Sequence, residues 1–380
     1  MERTDHTPKE LKVLILMKDL RIGNGIAACI MNYYDGLVAH RIHVDFLVYL
    51  PSESEHTAKA SKYGTIYQMP QSKLKWSEKR KRYVKELLKQ QQYDIIHVNL
   101  PGPMGAGVMK LARQCGVPVR IYHCHNPLNA NTLKRKISIG LFTPVCIQNA
   151  NHYMSCSRSA GLSVFKHSDF TVLRNCIDFQ KFVYDASARA AVRQQLGISE
   201  NTPLIGTVGR FEDQKNPLFA LDCIRECIKL SPDLHYVWVG AGSMEKEVRQ
   251  YIEAHQLSDH VTLAGTQINI SDWYSAMDLF LLPSKFEGLG IVFIEAQAAG
   301  LPVFGSDMVP EDTDITPQMH RLPLSASAAQ WADSMHRALQ ESKNRIPDPQ
   351  LIASSGYDIK KEINQLAEYY LRFSAEEIKN

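Results

Sequence analysis

At 380 residues the chain is longer than one ordinary core organises, and two domains are the simplest division. With 44% hydrophobic and 22% charged residues it has a globular composition, and a net charge of +3 is too small to make nucleic acid the main partner. Eight cysteines without paired spacing argue against a secreted disulfide framework and for a reducing compartment.

The opening stretch, MERTDHTPKE, is polar and lacks the apolar core of a signal peptide. No run approaches the ~18 apolar residues of a membrane span. The expected location is the cytoplasm, with any membrane contact made from the surface. LKVLILM (11–17) predicts a strand, RIGNG a glycine turn, and IAACIMNYYDGLVA a helix. VDFLVYL (44–50) is a second strand, and WSEKRKRYVKELLKQ (76–90) a basic amphipathic helix. Next come strand YDIIHVNL (93–100), a helix ended by Gly116, and strand VPVRIYHCH (117–125). ANHYMSCS (150–157) and FTVLRN (170–175) complete the first series. Alternation of this kind predicts a parallel sheet covered on both faces.

Residues 176–200 break the pattern, and it then restarts. PLIGTVGR (203–210), LHYVWVG (234–240), HVTLAG (260–265), DLFLLPS (278–284) and PVFGS (302–306) are strands, with helices over 217–230, 243–256 and 290–300. A last amphipathic helix covers 358–378. The expected architecture is α/β: two doubly wound, Rossmann-like domains over 1–185 and 186–355, with residues 356–380 packing back on the first. Two such units create a cleft at the carboxyl ends of their strands, where open α/β sheets bind ligands.

Several residues are expected at that edge. Strand PLIGTVGR ends at Gly209 and Arg210, with Lys215 five residues on. A planar guanidinium beside a compact ammonium suits a diphosphate, although two solvated surface charges would look the same. VGAGSMEKEV (239–248) is either a phosphate loop or a plain tight turn. In KFEGLGIVFIEAQAAG, Gly288 and Gly290 free the backbone before a helix whose first amides form an anion site. Glu287 would repel phosphate but can accept sugar hydroxyls. Glu295 lies in an apolar run, and a buried carboxylate there needs hydrogen-bond donors, which a ribose diol supplies. A Glu295 on the solvent side of the helix is the plainer alternative.

FEGLGIVFIEAQAAGLPV resembles the E-x7-E signature of glycosyltransferase family 4, retaining enzymes of the GT-B fold. VGRFEDQKNP, MNYY (31–34), YDIIHVN (93–99), VPVRIYHCHN (117–126) and SCS (155–157) fall in the family's order, and the resemblance runs over most of residues 11 to 306. It is strongest to the bacterial transferases of capsular and exopolysaccharide assembly. The resemblance implies a nucleotide-sugar donor, a UDP-sugar first of all, and transfer of a hexosyl or N-acetylhexosaminyl group with retention. The acceptor would be a glycan or lipid-linked glycan, and no metal or other cofactor is expected. Arg210 and Lys215 would hold the diphosphate, Glu295 the ribose and Glu287 the donor sugar. Gly25, Gly209, Gly288, Leu289 and Gly290 would bring backbone close to the nucleotide sugar.

The GNGIA loop departs from the family's Gly-Gly-x-Glu: Asn24 replaces the first glycine and Ala27 the acid, while Gly25 remains. In IYHCHN, His123 and His125 share a strand face, and two ligands are too few for a metal. The family places a histidine here against the donor sugar; His125, next to the loop, is the first choice and His123 the second. DTD (312–314) reads as a solvated loop. The basic segment 73–89 could lie on anionic lipid or be a solvated helix face. Two other readings compete with catalysis of transfer: an idle GT-B subunit that binds nucleotide and stabilises a partner transferase, and a nucleotide-sugar epimerase.

Overall fold

The computed structural model describes residues 10–22, 24–128, 133–341 and 349–379. In chain order the elements are β1 (Lys12–Met17), α1 (Gly25–Ala39), β2 (His43–Val48), α2 (Glu55–Tyr63), β3 (Ile66–Gln68), α3 (Glu78–Gln91), β4 (Ile95–Val98), α4 (Gly102–Gln114), β5 (Val119–Cys124), α5 (Leu133–Asn149), β6 (His152–Ser155), α6 (Arg158–Phe165) and β7 (Thr171–Val172). They continue with α7 (Ala186–Leu196), β8 (Leu204–Val208), α8 (Pro217–Leu230), β9 (His235–Val239), α9 (Glu245–Ala254), β10 (Val261–Gly265), α10 (Ile270–Ala276), β11 (Leu279–Leu282), α11 (Ile291–Ala298), β12 (Val303–Ser306), β13 (Met319–Leu322), α12 (Ala328–Glu341), α13 (Pro349–Ser354), α14 (Ile359–Glu362) and α15 (Gln365–Lys379).

These form two units: residues 1–176 with 359–380, and residues 177–358. The first division therefore lies at Cys176/Ile177 rather than 185/186, and the second at Asp358/Ile359 rather than 355/356. The first unit holds a seven-stranded sheet in the order β3-β2-β1-β4-β5-β6-β7, and the second a six-stranded sheet in the order β10-β9-β8-β11-β12-β13. Each neighbouring pair is parallel.

The central strands are apolar on both sides because helices cover both faces. Val13, Ile15 and Met17 of β1 enter one core with Ile30, Tyr33 and Leu37 of α1. Leu14 and Leu16 enter the opposite core with Val84 and Leu88 of α3 and Val108 of α4. In β8, Ile205 joins one core and Leu204 and Val208 the other. Helix α15 places Leu366, Ala367, Tyr370 and Phe373 in the core that α1 also builds. The expected single tail helix is thus two, α14 and α15.

Helix α3 answers the question about segment 73–89 in part. Ser77 caps it, and Val84, Leu87 and Leu88 are committed to the interior. Trp76 lies against Gly107 of α4, where a Cβ would stand 2.1 Å from the indole. Buried Arg80 donates to the carbonyls of Pro70, Leu74 and Lys75. The outward side is basic but carries no free apolar face with which to enter lipid. Among the described residues no helix is long and apolar enough to cross a membrane.

Candidate functional site

In the second unit the chain leaves β8, builds β9 and β10 on one side, and then restarts at β11 on the other side of β8. Strands β8 and β11 flank the point where the winding reverses, and ligands of open α/β sheets bind outside the carboxyl ends of such strands. The loops that leave those two ends carry Gly209, Arg210 and Lys215, and Ser284, Glu287, Gly288, Leu289 and Gly290. The structure therefore gathers the expected residues among these, together with Ser284, at one edge.

Lys215 and Glu287 were expected in separate roles, but they are one unit. Lys215 Nζ lies 2.6 Å from Glu287 Oε1, with side-chain exposures of 13% and 5%. Ser284 Oγ donates to the same oxygen at 2.6 Å, and Gln214 Nε2 donates to Oε2 at 3.3 Å. Gln214 also holds the backbone of the second loop, donating to the carbonyl of Phe286 at 3.0 Å. Three donors on a buried carboxylate compensate its desolvation. They also orient Lys215, whose ammonium keeps further protons to offer. The exposed Arg210 guanidinium makes no hydrogen bond or ion pair with a described residue, so it is free to meet an anion.

Gly290 caps α11 with φ +87, a conformation that disfavours a side chain, and a Cβ there would meet the Phe293 ring at 2.7 Å. No side chain caps the first amides of α11. Glu295, the fifth residue of this helix, is half-buried and accepts a 2.8 Å hydrogen bond from the fully buried Tyr274 of α10. Burial pushes the Glu295 carboxyl up to about 7, against the pull of the Tyr274 hydroxyl. It is therefore not on a solvated polar stripe.

The VGAGSMEKEV loop is a packing device. A Cβ on Gly240 would stand 2.0 Å from the Gly209 carbonyl oxygen, and Ser243 donates to Glu212 at 2.8 Å. Helix α9 starts later than expected, at Glu245, and puts Glu245 and Glu247 in its first turn. Two carboxylates there work against an anion site.

In the first unit the winding reverses between β1 and β4. After β1, Asp19 is fully buried and accepts 2.9 Å hydrogen bonds from Arg21 and from Asn24 Nδ2. Burial would raise its pKa, but these bonds outweigh it and hold the carboxyl below its ordinary value. Asn24 caps α1, accepting from the Ile26 amide, and exposed Gly25 is the first helical residue. Ala27, at the position of the family's acid, points into the core and is wholly buried. Asp19 is the buried carboxylate of this loop.

His125 lies one residue beyond β5 and is hydrogen-bonded through Nε2 to Asn99 Oδ1 at 2.7 Å, just after β4. Its ring packs on His123 with centroids 3.9 Å apart. His123 itself is interior: its Nδ1 is 3.0 Å from His97 Nε2, and His97 Nδ1 is 2.6 Å from the Tyr370 hydroxyl of α15. His125 is thus at the edge and His123 behind it. Burial holds all three imidazoles neutral, with His97 and His125 pushed down to about 3 and His123 driven well down.

Asn99, Tyr274, Ser284 and Gln214 were not anticipated. Ser284 partners Glu287 within one loop, whereas Asn99, Tyr274 and Gln214 each partner a predicted residue from another loop or helix, and only the strand order brings those elements together. Asp314 of DTD is exposed and ion-paired to Arg321 at 2.6 Å. Among the described residues no group of three or more His, Cys, Asp or Glu side chains could hold a metal ion.

Comparison with known proteins agrees with this arrangement. The family described as Glycosyltransferase Family 4 matches residues 23–181, and the one described as Glycosyl transferases group 1 matches residues 188–345. EpsF of Bacillus subtilis (strain 168), assigned as a glycosyltransferase, is 26% identical over 370 residues, 94% of this chain and 96% of its own. The UDP-Gal:alpha-D-GlcNAc-diphosphoundecaprenol alpha-1,3-galactosyltransferase of Escherichia coli is 28% identical over 59% of this chain and 60% of its own. Among solved structures, Anabaena Alr3699/HepE in complex with UDP-glucose matches 96% of this chain and 100% of its own with a TM-score of 0.78 and 17% identity. WaaG, a glycosyltransferase involved in lipopolysaccharide biosynthesis, matches 93% of this chain and 95% of its own with a TM-score of 0.71 and 17% identity. With both halves of the chain matched in the family's own order, and with two parallel-sheet units that share the fold of these transferases, the chain belongs to glycosyltransferase family 4 and is a glycosyltransferase of the GT-B fold.

Proposed function

We propose that this glycosyltransferase transfers a hexosyl or N-acetylhexosaminyl group from a UDP-sugar, with retention and without a bound metal, to a glycan or lipid-linked glycan acceptor in cell-surface polysaccharide synthesis. The observation that carries the donor half is the edge at β8 and β11. Arg210 and Lys215 come from the loop after β8, Glu287 joins Lys215 from the loop after β11, and α11, which follows that loop, starts after Gly290 and carries Glu295 bonded to Tyr274. Two cations and a helix start stabilise the charge that grows on a departing diphosphate. Glu295 takes the ribose diol. The UDP-glucose complex of HepE and the UDP-Gal donor named for the E. coli relative support uridine as the base. The diphosphoundecaprenol acceptor named for the E. coli relative and the lipopolysaccharide biosynthesis named for WaaG support the polysaccharide setting. The outward basic side of α3 is the surface that would meet an anionic membrane at the cytoplasmic face.

The test is a panel of UDP-, GDP- and ADP-sugars, read first as thermal stabilisation and then as transfer to lipid-linked acceptors. UDP-sugars should stabilise most, UDP should appear only when an acceptor is present, and the product should keep the donor's anomeric configuration. Stabilisation by GDP- or ADP-sugars alone, or an inverted product, would overturn the reading. UDP release without acceptor would point to the epimerase reading. Binding without any turnover would favour the idle-subunit reading, which the acid-free Ala27 position supports.

Glu295 gives this donor site a pH signature. A ribose diol donates to the ionised carboxylate, so UDP binding must draw a proton off a group that titrates near 7 in the free protein. Affinity should be full above that pH and fall as pH drops through it, towards about tenfold per unit. The free protein shows the opposite sign. A folded-state pKa raised above the unfolded one adds stability that is complete below about 4.5 and lost as pH rises to about 7. Glu295→Gln should flatten the difference in UDP affinity between pH 5.5 and 8, and should weaken UDP more than 2′-deoxy-UDP. Parallel pH profiles for the variant and the parent would remove Glu295 from the ribose.

A further inference from the structure

The three histidines of the first unit carry more information than a single sugar contact. The chain of hydrogen bonds has a direction, set by counting protons. Tyr370 Oη and His97 Nδ1 are 2.6 Å apart. If His97 donated, the buried tyrosine hydrogen would have no acceptor among the described residues. With Tyr370 donating, His97 Nδ1 is an acceptor and its proton is on Nε2. His97 Nε2–H then donates to His123 Nδ1 at 3.0 Å. That leaves the proton of His123 on Nε2. At His125 the partner of Nε2 is the carbonyl oxygen of Asn99, so its proton is on Nε2 as well.

What remains is a set of buried atoms without a hydrogen-bond partner among the described residues: His123 Nε2, His125 Nδ1 and Asn99 Nδ2. By the count above they are a ring N–H donor, a ring-nitrogen acceptor and an amide donor. They belong to one cluster of side chains, since the two rings are in contact and Asn99 is bonded to the second. A hydroxyl has two lone pairs and one hydrogen. Two donors and one acceptor are its complement. A carboxylate or phosphate would leave the acceptor facing an anion, and an ammonium would leave both donors unmatched.

We infer that Tyr370, His97 and Asn99 are positioning residues that lock His123 and His125 as Nε2–H tautomers, so that this edge of the first sheet presents two donors and one acceptor, the complement of one neutral hydroxyl. The inference rests on the proposed transfer for the identity of the ligand, but not for the tautomers. The far end of the lock is a tyrosine of the last helix, about 270 residues away in sequence and wholly buried. The lock also explains why a polar chain is kept inside an otherwise apolar core. A buried imidazole whose tautomer is free to exchange would offer the ligand a donor and an acceptor in turn, and half of the encounters would be mismatched.

Nitrogen-15 NMR of the histidine-labelled full chain, without ligand, reads the tautomers directly. All three rings should be neutral and protonated on Nε2. A His123 protonated on Nδ1 would mean that the chain runs the other way, and a His125 protonated on Nδ1 would mean that the Asn99 amide is turned; either result overturns the inference. Tyr370→Phe removes the first donor and keeps the ring. It should bring a second His123 tautomer into the spectrum and lower kcat for sugar transfer about tenfold with UDP affinity unchanged. Asn99→Leu should do the same at His125. A single unchanged tautomer in both variants would show that the contacts are structural only. Because the spectrum is taken on the free protein, loss of the donor-sugar reading through absent turnover leaves this readout intact. A mixed or reversed tautomer in an enzyme that turns over would sink the inference alone.

Discussion

His125→Ala should cut turnover by about 10²–10³, some 3–4 kcal/mol of transition-state stabilisation, and leave UDP affinity almost unchanged. The side chain stands at the end of β5, its Nε2 taken by Asn99 and its ring supported by His123. Burial keeps it neutral. As the bond to the diphosphate breaks, positive charge grows at the anomeric carbon. An imidazolium would oppose that charge, whereas a neutral ring can bond a sugar hydroxyl without electrostatic penalty. Such a contact would be worth most in the transition state, which is why kcat should fall and nucleotide binding should not. Initial rates together with UDP titrations check both halves. If His125→Ala turns over normally while His123→Ala does not, the interior ring is the one that matters. If both are active, the histidines have no part in the chemistry.

Lys215→Ala should do two kinds of damage at once. It removes one of the two cations that follow β8, and it strands Glu287 in a site of 5% side-chain exposure with Ser284 and Gln214 to hold it. Breaking one partner of a buried ion pair costs about 3–5 kcal/mol. Denaturant melts should show that loss alongside weakened UDP binding. The double variant Lys215→Met/Glu287→Gln separates the two effects, because removing both charges restores much of the stability. UDP affinity should stay low in it. Arg210→Ala is the contrast: its guanidinium is exposed and unbound to described residues, so affinity should drop with no change in the melt. A wild-type melt for Lys215→Ala would mean that the ion pair contributes nothing, and wild-type UDP affinity in the double variant would take Lys215 off the diphosphate.

The central strands were legible because a parallel strand covered on both faces is a continuous apolar run, as in KVLILM and LFLL. The edge strands β3 and β13 were not. Each is short and only partly buried, so no period stands out. Arg210, Lys215, Glu287 and Glu295 could be picked out from their places beside strand ends and glycines. Their pairing could not. Lys215 and Glu287 are 72 residues apart and meet because β11 lies beside β8, a crossover that no local pattern announces. Nothing in the sequence marks Tyr274, whose hydroxyl matters because α10 brings it to Glu295. Nothing in the sequence marks His97 either; its partners come from β5 and from the tail. Ala27 was visible as a missing acid, but that Asp19 supplies the buried carboxylate of the same loop depends on the turn after β1.

The chain begins and ends in the same unit, with the second unit inserted between Cys176 and Ile359. The order of synthesis therefore opposes the order of completion. A ribosome delivers the whole of residues 177–358 before it delivers Leu366, Ala367, Tyr370 and Phe373, which finish the core around β1 and α1. The nascent first unit must wait with that apolar flank uncovered while the inserted one closes, although domains made first ordinarily fold first. Loss of residues 366–380, or a bulky fusion that pries them away, would thus reopen the core around β1 and α1 and spare the inserted unit.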